Sequence, residues 1–202
     1  MEIFNRKYID VEDEQLMSLS QDGNQAAFEV LYERYKQRLF NFFFRMLGGQ
    51  SEKAQDFLQD TFLRVVRNLS SFRKEEKFSS WIFTIAHNLC KNEYRRLEVR
   101  RIVENSKNID QVVMESEDIN NIENRLDNLN FQNALSKELN RLDSEKFCTF
   151  VLRYIENFSI KEIAEIMSCS QGTVKSRLFY TTKKIADRLK YFNPNIFGEK
   201  LR

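Results

Sequence analysis

The chain has 202 residues, of which 42% are apolar and 31% charged, a composition that fits a folded protein and excludes a disordered tail. Five glycines and one proline are too few for the frequent turns of an all-β sandwich or barrel. The 32 Lys and Arg against 30 Asp and Glu leave a net charge of only +2, so a nucleic-acid signal has to come from where the charges sit.

Met1 to Asp10 mixes charged and aromatic residues and lacks an apolar signal core, and no run of about 18 apolar residues follows. No membrane insertion is expected, and the expected location is cytoplasmic. Asp13 is a candidate cap for a short opening helix near Leu16. Phe28, Leu31, Tyr35, Leu39, Phe42 and Met46 recur at steps of three and four, which predicts a long helix that Gly48-Gly49 ends. Ser51 opens the next, with Ala54, Phe57, Leu58, Thr61, Phe62, Val65 and Leu69 on its apolar face. Phe72 to Phe78 reads as a charged loop. Ser79 or Ser80 is then placed to cap a third long helix with Trp81, Ile82, Ile85 and Leu89 inward.

Charge divides the chain further. Residues 1–101 carry 17 basic and 15 acidic side chains, residues 102–130 carry 2 and 7, and residues 131–192 carry 11 and 7. The middle stretch, with seven asparagines and no aromatic, reads as a mobile acidic linker, within which Ile119, Ile122, Leu126 and Leu129 hint at a helix. After it, Phe131, Leu135, Leu139 and Leu142 line one helix, and Phe147, Val151, Tyr154 and Phe158 a second. Ser159-Ile160-Lys161-Glu162 is a capping box for a third, with Ile160, Ile163, Ala164 and Met167 apolar. Ser168-Cys169-Ser170 breaks it, and Ser170 caps a fourth. The expected architecture is all-α: two small helical domains joined by a flexible acidic linker, with a tail at 193–202.

The fourth helix of the second half carries the clearest functional pattern. Val174, Leu178, Thr181, Ile185, Leu189 and Phe192 share one side; Gly172, Ser176, Phe179, Tyr180, Lys183 and Lys190 share the other. Six basic residues and one acid lie within 171–190. A short helix, a tight turn and a longer basic helix is the order of a helix-turn-helix, whose second helix reaches base edges in the major groove. A second cationic cluster, Lys91, Arg95, Arg96, Arg100 and Arg101, stands near Phe78, Trp81, Phe83 and Tyr94, as suits an unpaired strand. Asp56, Gln59 and Asp60 form an acidic-amide face suited to docking on a partner helix. His87 is the only histidine, the three cysteines are far apart, and no Ser/His/Asp set, Gly-rich phosphate loop or metal-ligand spacing is present. Neither catalysis nor a cofactor or metal is expected, and a reducing compartment is.

From about residue 12 to 191 the chain resembles the bacterial RNA polymerase sigma factors of the sigma-70 family, in the extracytoplasmic-function (ECF) group. The resemblance is carried in order by Gly23-Asn24-Gln25-Ala26-Ala27-Phe28, by Ala54 to Phe62, by Phe78 to Asn88 with Arg95-Arg96, by Ser159 to Ala164, and by Gly172 to Leu178. It implies that residues 1–101 bind core polymerase and the promoter −10 element, with Asp56, Gln59, Asp60 and Phe62 on the β′ clamp helices. Asn88 would receive a flipped base, with the loop from Phe72 to Ser80 closing over it; Lys91, Asn92, Arg95 and Arg96 would line the strand path, and Phe72 and Trp81 would also bind −10 DNA. Residues 131–192 would read the −35 element through Thr173, Lys175, Ser176, Arg177, Tyr180, Lys183 and Lys184, and would meet the β flap. The resemblance further implies a monomer outside the holoenzyme, a linker threading toward the polymerase channel, and an anti-sigma factor as a candidate partner. Asn92 stands where the family often has aspartate, Ser168 where many members have glycine, and Tyr180 where many have a basic residue. Two alternatives are a stand-alone helix-turn-helix regulator and a metal-dependent nuclease using Asp56 and Asp60.

Overall fold

The computed structural model describes residues 8, 10–73, 75–103 and 122–190, with backbone alone at 101–103 and 122–130. Regular structure among these residues is helical throughout: α1 (Asp13–Gln21), α2 (Gln25–Met46), α3 (Ser51–Arg67), a 3-10 turn (Leu69–Ser71), α4 (Phe78–Val103), α5 (Ile122–Asn140), α6 (Ser144–Tyr154), α7 (Ile160–Ile166) and α8 (Gln171–Leu189). Phe192 and the tail at 193–202 lie outside the described residues, as does most of the acidic segment. α5 starts at Ile122, inside the stretch read as linker.

In the first module α2 starts where Asn24 Oδ1 accepts the Ala27 N–H, and it ends at Gly48 and Gly49, both at positive φ. The opening helix departs from expectation. Its N-cap is Glu12, and Asp13 instead accepts hydrogen bonds from Arg34 and from the Tyr35 hydroxyl. Burial, with Asp13 alongside, pushes the Tyr35 phenol above its ordinary pKa.

α4 departs in a related way. It begins at Phe78, so Ser79 and Ser80 lie inside the helix rather than capping it. The Phe78 N–H donates to Glu14 Oε1 at 2.9 Å, so α1 supplies the acceptor that closes the start of α4. Aromatic side chains knit the elements together: Tyr35 meets Phe78 at 5.1 Å between ring centres and Phe42 meets Phe83 at 5.4 Å, both edge to face.

In the second module Asp143 caps α6, Ser159 and Glu162 close a full capping box on α7, and Ser170 caps α8. Val174, Leu178, Thr181, Ile185 and Leu189 are buried as their period requires. α6 ends at Tyr154, which is 52% exposed rather than inward. Phe158 lies beyond the helix, where Asn157 turns the chain at φ 61°.

That turn joins the modules. α7 packs on α4, and α6 on α2 and α4. Phe158 meets Phe83 edge to face at 5.0 Å. The Arg38 guanidinium lies over the rings of Tyr35, Phe83 and Phe158 and donates to Glu156 at 3.2 Å. Burial pushes the Glu156 carboxyl above its ordinary pKa, and Arg38 offsets only part of that. A second bridge, Lys77 to Glu162 at 2.8 Å, ties the loop before α4 to α7.

Candidate nucleic-acid interface

α3 is strongly two-sided. Ala54, Leu58, Thr61, Phe62 and Val65 are buried, Asp56 and Gln59 are exposed, and Asp60 is half-buried. Asp60 takes an ion pair from Arg64 one turn on, at 3.1 Å. Leu63 and Val66 continue the outward face at about half exposure, 53% and 49%. Steps of three and four from Asp56 reach both, so the helical period alone carried that signal. Phe62 does not belong to this face: it is buried against Phe28 and Tyr32. Its place one residue after Thr61 turns it into the apolar stripe.

On α4, Asn88, Lys91, Asn92, Arg95 and Arg96 are exposed. Glu93, buried between them, accepts from Lys53 at 2.7 Å and from Arg96 at 2.8 Å. The Arg96 bond, with Lys53 adding to it against burial, holds the Glu93 carboxyl below its ordinary pKa. Arg96 is therefore already paired, and Lys91 and Arg95 are the freer cations. Phe72 is buried, and Trp81, half-buried, meets it edge to face at 5.5 Å. Phe72 thus supports Trp81 from below and is no exposed stacking platform.

Lys91 and Arg95 also line a cavity of about 170 Å³ between α4 and α6, with His87, Cys90, Glu145 and Cys148. Burial lowers the His87 pKa, Glu145 opposes this, and Lys91 and Arg177 add to it. The His87 imidazole is thereby kept neutral near pH 7. Burial pushes the Cys90 thiol upward, which makes it a poor nucleophile. No group of three or more metal-ligating side chains able to hold an ion occurs among the described residues.

α8 presents Lys175, Ser176, Tyr180, Lys183 and Lys184 on its exposed side, and Thr173 is half-buried beside its cap, Ser170. Arg177 differs. It pairs with Glu145 of α6 at 3.0 Å and its side chain is only 23% exposed. It sits between the two faces of the helix, and a carboxylate on the neighbouring element draws it inward. Phe179, 57% exposed and edge to face with Tyr180 at 5.3 Å, was visible in the period as an outward residue.

Comparison with known proteins adds the family. The Sigma-70 region 2 model matches residues 31–100 and the Sigma-70 region 4 model residues 132–189. The ECF RNA polymerase sigma factor SigW of Bacillus subtilis is 30% identical over 160 residues, 77% of this chain and 85% of the relative. The ECF RNA polymerase sigma-E factor of Haemophilus influenzae is 29% identical over 183 residues, 88% of this chain and 95% of the relative. Among solved structures, the sigma factor RpoE of Bartonella quintana, in complex with the anti-sigma factor NepR, gives a TM-score of 0.67 at 22% identity. It covers 81% of this chain and 96% of that one. CnrH, in complex with the cytosolic domain of CnrY, gives 0.63 at 24% identity over 89% and 97%. Two helical modules with an acidic-amide face on α3 and a basic helix-turn-helix, matched in order to these sequences, place the chain in the sigma-70 family of RNA polymerase sigma factors, in its ECF group.

Proposed function

We propose that this sigma factor divides its work between the modules at the boundaries 1–101 and 131–192, acting by binding alone and in the cytoplasm. The α3 face of Asp56, Gln59 and Asp60, extended by Leu63 and Val66, docks on the β′ clamp helices of core polymerase, and the second module meets the β flap. Asn88 receives a flipped base of the −10 element, with Trp81 beside it and Lys91, Asn92 and Arg95 along the backbone of the opened strand. Lys175, Ser176 and Tyr180 read the −35 groove, flanked by Lys183, Lys184 and Thr173. An anti-sigma factor is a partner of the same kind as the one bound to RpoE. The observation that carries this reading is the exposure of Asp56 and Gln59 on α3, of Asn88, Lys91, Asn92 and Arg95 on α4, and of Lys175, Ser176 and Tyr180 on α8 of one chain.

The base-capture role makes Asn88→Ala its test. The variant is expected to bind core polymerase as the wild type does and to initiate on a pre-melted promoter. On the closed duplex it is expected to initiate poorly, because unstacking a base costs a few kcal/mol that the pocket no longer offsets. Equal loss of core binding and initiation would reject the role.

A further inference from the structure

The outward side of α8 carries more than charge. Phe179 and Tyr180 are the two most exposed of the large apolar side chains among the described residues, and they stand side by side. Their rings meet edge to face, so each orders the other at the surface. An ordered pair of rings left in water marks a contact with something outside the chain.

The surroundings select the partner. Steps of three and four join Gly172, Ser176, Phe179 and Lys183 in one outward stripe, with Tyr180 beside it. Lys175, Lys183 and Lys184 are exposed around the rings, and Asp187 is the only acid from 171 to 190, so the patch suits a polyanion. The stripe is bare at its N-terminal end. A β-carbon on Gly172 would meet nothing closer than Ser170 Oγ, at an ordinary 3.6 Å. Packing within the chain therefore gives no reason for glycine there, whereas a duplex pressed against the first turn of α8 does.

The chemistry of the rings then narrows what they touch. A phenyl ring neither donates nor accepts a hydrogen bond. Against the polar edge of guanine, adenine or cytosine it would strip water from base atoms without replacing it. The 5-methyl group of thymine is the apolar group that the major groove offers. Tyr180 carries no guanidinium, so it cannot grip the two acceptors of guanine as an arginine would.

We propose that Phe179 and Tyr180 together read thymine methyl groups in the −35 element, which makes them determinants of this chain's promoter choice. The inference rests on the proposed function, in which α8 enters that groove. Lys175 and Ser176 supply the hydrogen bonds to neighbouring bases, and the rings add selection by shape and apolar contact.

The test uses holoenzyme reconstituted from core polymerase and the full chain, on a promoter library randomised across the −35 element. Initiating promoters are expected to share thymine at one or two adjacent positions. Uracil in place of that thymine removes the methyl and keeps the base pair. It is expected to lower initiation about fourfold for each methyl, the effect of exposing one buried methyl group to water. Phe179→Ala is expected to initiate less on the thymine promoter and to use thymine and uracil equally. Phe179→Leu, which keeps an apolar contact, is expected to retain part of the preference. Tyr180→Arg is expected to move selection at its position toward guanine, and unchanged selection would overturn Tyr180's part. Equal use of thymine and uracil by the wild type, or a preference that survives Phe179→Ala, would overturn the methyl reading. Weaker core binding by Phe179→Ala, with the preference kept, would assign the rings to polymerase and overturn it as well. A library with no chain-dependent initiation would instead reject the −35 reading itself.

Discussion

Ser168 shows how a single residue records a choice of backbone. It sits at φ 51° between α7 and α8, in the left-handed region that disfavours a β-carbon. Glycine takes that conformation freely. Ser168→Gly is therefore expected to raise the stability of the folded chain, by about 0.5–1 kcal/mol after the greater freedom of unfolded glycine is counted. Urea unfolding measures it, and a lower midpoint would contradict the account. Glu162 shows the same economy in charge. Burial would raise its pKa, but hydrogen bonds from Lys77 and from Ser159 outweigh that and bring it to about 2, from an ordinary 4.5. Because the folded value is the lower one, the stability this carboxylate contributes is complete above about pH 4.5 and is lost as pH falls toward 2. In Lys77→Ala, carboxyl titration followed by NMR should move up, yet stay below 4.5 because the Ser159 bonds remain. A titration left unmoved would show that the bridge to the exposed lysine contributes nothing.

At the scale of the element, α8 separates residues that sequence alone had grouped. Lys175 is exposed on the outward face, whereas Arg177 is tied to Glu145. Lys175→Ala should lower initiation on −35-dependent promoters about tenfold, in line with the about 1–3 kcal/mol of a good base contact. Arg177→Ala should act mainly on the stability of the second module. Run-off transcription and thermal unfolding of both variants distinguish these, and the reverse pattern would contradict the assignment. The helices themselves were legible: the apolar period of α2, α3 and α8, the caps at Asn24, Ser159 and Ser170, and the glycine stop at Gly48 all follow from local chemistry. Burial of Phe62 was written in the same α3 stripe, although the resemblance assigned it to a partner. What periodicity does not contain is the identity of the neighbour. Glu14 capping α4, Glu145 drawing in Arg177 and the first module covering Phe158 all join residues far apart in the chain. Local pattern cannot supply such pairings.

For the whole molecule, a net charge of +2 conceals opposite local charges: a basic α8, an acidic segment before the second module and an acidic-amide α3. A chain of this kind relies on a second machine for much of its hold on DNA. The stand-alone regulator would behave differently, since it would bind its own palindromic site without polymerase. The decisive measurement is transcription from a genomic template library by core polymerase with and without the purified chain, followed by sequencing of the transcript starts. The account predicts a set of chain-dependent starts sharing two spaced upstream motifs. No chain-dependent starts, together with tight binding of the chain alone to a palindromic duplex, would contradict it.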